Sequence, residues 1–292
     1  MMLRIYDSLL EQARELHKNG MKGGDSTGWK SIDRHFTVKP GQLTLITGIP
    51  SHGKSTWLDA LLVNLAQAGW NAAIYSPENH PPALHISKLI EKFVGKPFGH
   101  GPTERVNDEE LQDALKKICA RFTLLDILDL DNPRVEDIIQ KGEQYRHGKF
   151  SLVIDPWNYL DHSRPPNYTE TEYISQALSV LIKYARQMDV HVFLVAHPQK
   201  MYTERDGTKP VPTPYHISGS AHWFNKADNC ITVWRDPLAN TQITQIHIQK
   251  VRFKHIGKPG VVDLRYDHLT SRYFDMDHRA PVYSMLGADI AI

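Results

Sequence analysis

Apolar positions along the chain follow two rhythms, one helical and one of short buried runs. Residues 3–18 place Ile5, Leu9, Ala13 and Leu16 at helical spacing and Asn19-Gly20 supplies a stop, so an amphipathic helix is predicted to open the chain. A polar linker, GMKGGDSTG, follows. From Gln42 the pattern alternates: the strand-like QLTLIT, a helix from Lys54 to about Ala68, the strand-like NAAIYS, then a helix through LHISKLIEKF. Two more buried strands are expected at SLVID (151–155) and VHVFLVA (190–196), separated by a long helix from about Glu170 to Met188. This rhythm predicts an α/β fold with a mostly parallel sheet covered by helices. CITVW, ITQIHIQKV and VVDLRY then come close together, which suggests an antiparallel C-terminal extension of the sheet. The expected organisation is a linker helix and linker over 1–26, one domain over 27–276, and a tail over 277–292. The long irregular stretches, 161–169 and 200–217, are candidates for function because long loops are uncommon in compact domains.

Composition changes the picture only by exclusion. The 292 residues are 41% hydrophobic and 23% charged, ordinary for one large α/β domain. A formal charge of +1 gives no global basic field, so nucleic acid would have to be met by a local patch. Cys119 and Cys230 lie far apart without CxxC spacing, which argues against a disulfide framework or a zinc site. No apolar run reaches membrane-spanning length, and Asp7, Glu11 and Glu15 are unlike a signal or transit peptide. A reducing cytoplasm is the expected setting.

The chemistry begins at Gly48-Ile49-Pro50-Ser51-His52-Gly53-Lys54-Ser55, which matches GxxxxGK[ST] between a strand and a helix. Backbone N–H groups of such a loop point at phosphates, Lys54 reaches the β and γ phosphates, and the Ser55 hydroxyl ligates Mg²⁺. Thr56 extends the nucleotide-binding segment. Asp155 ends an apolar strand and is expected to sit near that Mg²⁺, although an Asp at a strand end is also a common turn former. Pro156 follows, so the base for hydrolysis must come from elsewhere. Glu78 ends the strand after the P-loop helix, and parallel strands deliver their C-terminal ends to one edge. His197 ends another strand and is expected to sense the γ-phosphate. Lys250 and Arg252 share one face of a strand. They are either a solvated face or an arginine finger for a neighbouring subunit.

Taken in order, Gly48 to Ser55, SPEN (76–79), DPWN (155–158), AHPQK (196–200), GSAHWFNKADN (219–229) and KVRF (250–253) resemble the helicase domain of the DnaB-like superfamily, closest to Twinkle-type and phage primase-helicases. The resemblance runs from about Thr27 to about Tyr273. It implies a RecA-like core that assembles as a ring, usually a hexamer, with ATP or another NTP between subunits and single-stranded DNA in the channel. It implies Glu78 as catalytic glutamate, Asp155 as the Mg²⁺-associated aspartate, His197 as sensor, and Lys250 and Arg252 as cations reaching the neighbour's γ-phosphate. The opening helix would pack on the adjacent subunit or on its own domain, and Arg235 and Tyr266 would flank the base. In the loop after His197, Lys200, Arg205 and Lys209 are candidates for phosphate contacts and Tyr202 for stacking; the alternative is a solvated loop. Primase-helicases of this type carry an upstream zinc-binding or Toprim-like primase half, for which this sequence has neither the cysteines nor the length, so it is either a helicase-only protein or a fragment of a longer one; primer synthesis by this chain is not expected, and a primase domain or protein is a candidate partner. The expected function is an ATP-dependent, ring-forming DNA helicase that translocates on single-stranded DNA in replication, with the 5′ to 3′ polarity and the bacterial or phage-infected bacterial setting that the resemblance implies. Alternatives are a RecA-like recombination or loading ATPase, and a P-loop small-molecule kinase.

Overall fold

The structure is a computed structural model that describes residues 2–125, 133–201, 210–219, 221–236 and 242–278. Its centre is a nine-stranded sheet in the order β3-β2-β4-β5-β1-β6-β7-β8-β9. The strands are β1 (Gln42–Thr47), β2 (Trp70–Tyr75), β3 (Phe122–Leu124), β4 (Lys149–Ile154), β5 (His191–Val195), β6 (Asn229–Trp234), β7 (Ile243–Val251), β8 (Gly260–Asp267) and β9 (Arg272–Asp275). Every pairing from β3 across to β6 is parallel, and β6 to β9 pair antiparallel. CITVW opens the expected antiparallel extension by pairing antiparallel with β7, and on its other side it runs parallel to β1. It is reached by a long connection carrying helix α8 (His222–Lys226) rather than by a tight turn, and only a crossover can return a strand in parallel.

Alternate residues of the central strands point to opposite faces, and both faces are dry. Ile46, Val153, Phe193 and Val195 join the core with helices α3 (Lys54–Gln67), α4 (Pro82–Val94) and α5 (Asp108–Arg121). Leu43, Leu45, Leu152, Ile154, Val192 and Leu194 join the opposite core with α6 (Val135–Glu143) and α7 (Glu170–Met188). Helix α5 opens with a reciprocal capping box between Asn107 and Glu110, a device contributing about 1 kcal/mol. Helix α7 opens the same way on Thr169 and Glu172.

The first helix, α1 (Met2–Asn19), leaves Leu9 and Leu16 exposed at 59% and 55%. The chain docks after it. Asp25 bridges to Val38, its carboxylate accepts from Trp70 Nε1 at 2.8 Å, and it pairs with Lys149 at 2.8 Å. A short helix, α2 (Lys30–Asp33), follows, and Trp29 Nε1 donates to the Tyr273 carbonyl at 2.8 Å while its ring stacks on Trp57. The segment 24–38 thereby joins the last strand to the P-loop helix.

Candidate nucleotide site

The parallel strands end at one edge, and there the predicted residues collect. The loop leaving β1 is shaped by Gly48 (φ +151°), Ser51 (φ +67°) and Gly53 (φ +88°). At Gly48 a Cβ would collide with the Val233 carbonyl oxygen, so the close strand contact requires glycine there. Gly53 is the residue from which α3 starts, and the Thr47 hydroxyl donates to the Ala196 carbonyl at 2.8 Å, tying the ends of β1 and β5. Ile49 and His52 are buried in the loop, whereas Pro50 and Ser51 are exposed and Thr56 is half-buried in the first turn of α3.

Lys54 is buried, and its Nζ donates to the Ile49 carbonyl at 3.2 Å. Burial pulls its ammonium down to about 8, while the charges of Asp155 and Glu78 pull the other way. Asp155, at the end of β4, is buried; its Oδ1 has no hydrogen-bond partner, and the nearby Ser55 side chain favours its charged form. Burial pushes its carboxyl up to about 7; Asp59 and Glu78 add to the rise, and Ser55 and Lys54 oppose it. A desolvated carboxylate oxygen beside a hydroxyl suits a hard divalent cation, and the ammonium beside them suits the phosphate that such a cation carries. Among the described residues no three His, Cys, Asp or Glu side chains converge as a cage. The residues thus fit Mg²⁺ held by one or two protein oxygens plus phosphate, with Ser55 and Asp155 as the chain's contribution.

This geometry has a measurable cost. A carboxyl raised from 3.8 to about 7 does not alter stability below pH 4, and its ionisation penalty is complete above pH 7. Asp155→Asn is therefore expected to raise the thermal midpoint of the nucleotide-free chain by several degrees at pH 7.5, the gain shrinking at pH 5, while hydrolysis collapses. Equal midpoints at pH 7.5 would mean that Asp155 is not held in a desolvated site.

Glu78 is exposed at the mouth of the site, and its charge acts on both Lys54 and Asp155. His197 is half-buried, and its backbone N–H donates to Asn158 Oδ1 at 3.3 Å, joining two quoted motifs. Burial, then the Lys54 charge, lowers the imidazole to about 4, so it is neutral at physiological pH. On the other flank, Arg235 N–H donates to His52 Nδ1 at 3.0 Å and its guanidinium lies 4.2 Å from the Tyr266 ring centre. The Arg235–Tyr266 pair is therefore a flat platform attached directly to the P-loop.

Lys250 and Arg252 lie elsewhere. Arg252 N–H donates to the Asp228 carbonyl, and Asp228 N–H donates to that of Leu43, at the start of β1. Five residues of strand separate that level from Gly48, roughly 17 Å at about 3.3 Å per residue. Arg252 Nε pairs with the buried Asp228 carboxylate at 2.9 Å, and its Nη2 donates to the Lys226 carbonyl at 2.9 Å. Lys250 Nζ donates to the carbonyls of Phe224 and Asn225 at 2.5 and 3.1 Å. Lys200 is exposed, and Tyr202, Arg205 and Lys209 lie outside the described residues.

Sequence reading passed over Asn158, although DPWN contained it, and Asp59, four residues after Ser55 on the inward face of α3. It also passed over Tyr273, whose buried hydroxyl lies under the loop at Gly53.

A glycine-shaped loop between the central strand and a helix, with a lysine, a hydroxyl and a buried aspartate converging there, defines a RecA-like P-loop nucleotide-binding protein. The chain belongs to the DnaB-like helicase C-terminal domain family, whose model matches residues 24–275. It is 40% identical over 268 residues to the Twinkle homolog protein, chloroplastic/mitochondrial, of Arabidopsis thaliana. That match takes in 88% of this chain and 37% of the relative, so the chain spans little more than a third of the relative's length. Among solved structures, the ATPase domain of G40P aligns with a TM-score of 0.77 at 20% identity, over 93% of this chain and 98% of that one. A DnaB-like replicative helicase, solved for its interactions with primase, aligns at 0.76 and 20% identity, over 92% and 68%. The RadB recombinase aligns at 0.55 and 18%, over 86% and 99%, which marks the same fold. No helix among the described residues is long and apolar enough to cross a membrane.

Proposed function

We propose that this chain is the motor domain of a replicative DNA helicase, hydrolysing ATP in a ring, a hexamer, that moves 5′ to 3′ along single-stranded DNA. The observation that carries the reading is the separation of one site into two halves. Lys54, Ser55, Asp155, Glu78 and His197 sit at one sheet edge, while Lys250 and Arg252 sit roughly 17 Å away at the other, by strand rise. No side chain of that length closes the gap in one subunit. Head-to-tail packing brings the cations of one copy to the phosphates of the next, and such packing closes into a ring when its rotation does. The exposed Leu9 and Leu16 of α1 suit burial on an adjacent copy.

In this reading the loop amides and Lys54 bind the phosphates, and Ser55 and Asp155 would hold Mg²⁺, which would supply countercharge to the phosphoryl oxygens. Glu78 takes the proton of the attacking water. Neutral His197 offers a ring N–H to the γ-phosphate and passes its state through Asn158 and the following loops toward DNA. Lys200, Tyr202, Arg205 and Lys209 contact that DNA without reading sequence, and Arg235 and Tyr266 flank the base. The DnaB-like relative's primase interactions make a primase domain or protein a natural partner here.

Glu78→Gln is expected to keep nucleotide affinity within a few-fold and lose about 10² to 10⁴ in turnover; near-normal turnover removes it as the base. The function itself is tested by steady-state ATP hydrolysis with and without single-stranded DNA across a salt series. Strong stimulation that weakens with salt is expected. Rates indifferent to DNA would favour the small-molecule kinase instead.

A further inference from the structure

The contact between Asp59 and His85 has no part in the chemistry above, yet it is an enclosed polar contact one helical turn from Ser55. His85 Nε2 meets Asp59 Oδ1 at 3.0 Å, with side-chain exposures of 3% and 6%. Asp59 lies one turn beyond Ser55 on α3. His85 lies in the first turn of α4, the helix that follows directly on the loop bearing Glu78. Helix α4 also holds that loop: Lys88 Nζ donates to Asn79 Oδ1 at 2.7 Å, and Asn79 Nδ2 donates to Ser76 Oγ at 2.9 Å. Lys92, buried on the same helix, donates to the Lys88 carbonyl at 3.3 Å.

We infer that Asp59 and His85 are a positioning pair that sets Glu78 against the Lys54–Ser55 end of α3, the setting being passed through α4, Lys88 and Asn79. The inference rests on the reading of Glu78 as the base. Apolar packing between α3 and α4 is non-directional and permits sliding along the helix axes. A buried, charge-assisted hydrogen bond fixes one register. Around Asp59 stand His85, Lys92 and Lys88 as attracting groups, and its own charge is felt at Asp155. Burial favours its neutral form, but these three outweigh burial and hold the carboxyl below its usual range. The register matters because an error of about 1 Å in a catalytic group can cost on the order of 100-fold in rate.

The test uses the full chain with ATP and saturating single-stranded DNA, comparing His85→Ala and Lys88→Met in the wild-type and Glu78→Gln backgrounds. His85→Ala is expected to lower kcat about 10- to 100-fold, with KM and affinity for a non-hydrolysable ATP analogue changed less than about threefold. Lys88→Met is expected to do the same more weakly. In the Glu78→Gln background neither change should lower kcat further, because the group being positioned has gone. An equal loss in both backgrounds, or an unchanged kcat in a folded variant, overturns the inference. If His85→Ala fails to fold, Lys88→Met carries the test with the same two outcomes. Normal turnover in Glu78→Gln alone sinks the base assignment itself and is read separately.

Discussion

Arg252→Ala is expected to lower the ATP turnover of the assembled protein by about a thousandfold or more, since arginine fingers contribute roughly 10³ to 10⁵, while nucleotide affinity changes little. Its guanidinium in one chain is committed to Asp228 and to the carbonyls closing α8, and it is too far from its own P-loop to act there. To reach a neighbour's phosphate it must leave a buried carboxylate, which would be prohibitive were Asp228 then left alone. Arg186 Nη2 stands 3.3 Å from the same Oδ1, and Leu43 N–H donates to Oδ2 at 3.1 Å, so the carboxylate keeps partners. The substitution also removes the Arg252 partner of Asp228 and costs some stability. Arg252→Lys is the control: it keeps the charge but loses the planar fork, and it is expected to fold well and recover under a tenth of the rate. Turnover near wild type in both variants would exclude a finger at this position.

Lys54→Ala is expected to weaken ATP binding by at least about 100-fold, a loss of roughly 2.7 kcal/mol or more, and to bring hydrolysis to background. The ammonium sits where burial already makes its charge costly, and it is kept there by Asp155 and Glu78. Without it, two carboxylates face the incoming phosphates with no fixed countercharge. Folding should survive, because the loss removes a desolvated cation whose one hydrogen bond goes to its own loop. Equilibrium binding of a fluorescent ATP analogue, beside a thermal melt, checks both halves. Normal affinity would remove Lys54 from the phosphate cradle.

What was legible in the sequence follows physical rules of different reach. The central strands were readable because burial on both faces writes continuous apolar runs, as in QLTLIT, and the P-loop because its glycines and lysine are fixed by backbone geometry. Glu78, Asp155 and His197 could be placed together since each lies within three residues after the C-terminal end of a parallel strand. Helix α5 was passed over although Asn107 and Glu110 write its capping box, and β3 and β9, of three and four residues, are too short to show a period. The parallel pairing of β6 with β1 was not legible, because strand direction depends on the connection, not on the strand's own residues. The Arg252–Asp228 and Asp59–His85 contacts join residues 24 and 26 positions apart in sequence, and no local pattern announces such pairs. The DNA candidates Tyr202, Arg205 and Lys209 stay as sequence proposals.

The central claim is that each catalytic site is completed by a neighbouring copy. The most direct measurement is the ATP hydrolysis rate of wild-type protein mixed with increasing fractions of Arg252→Ala, at constant total concentration with Mg²⁺ and single-stranded DNA. A rate that falls faster than the wild-type fraction is predicted, since each variant copy silences a site belonging to its neighbour and interrupts the ring. A strictly linear decline would contradict the account and place each complete site within a single chain.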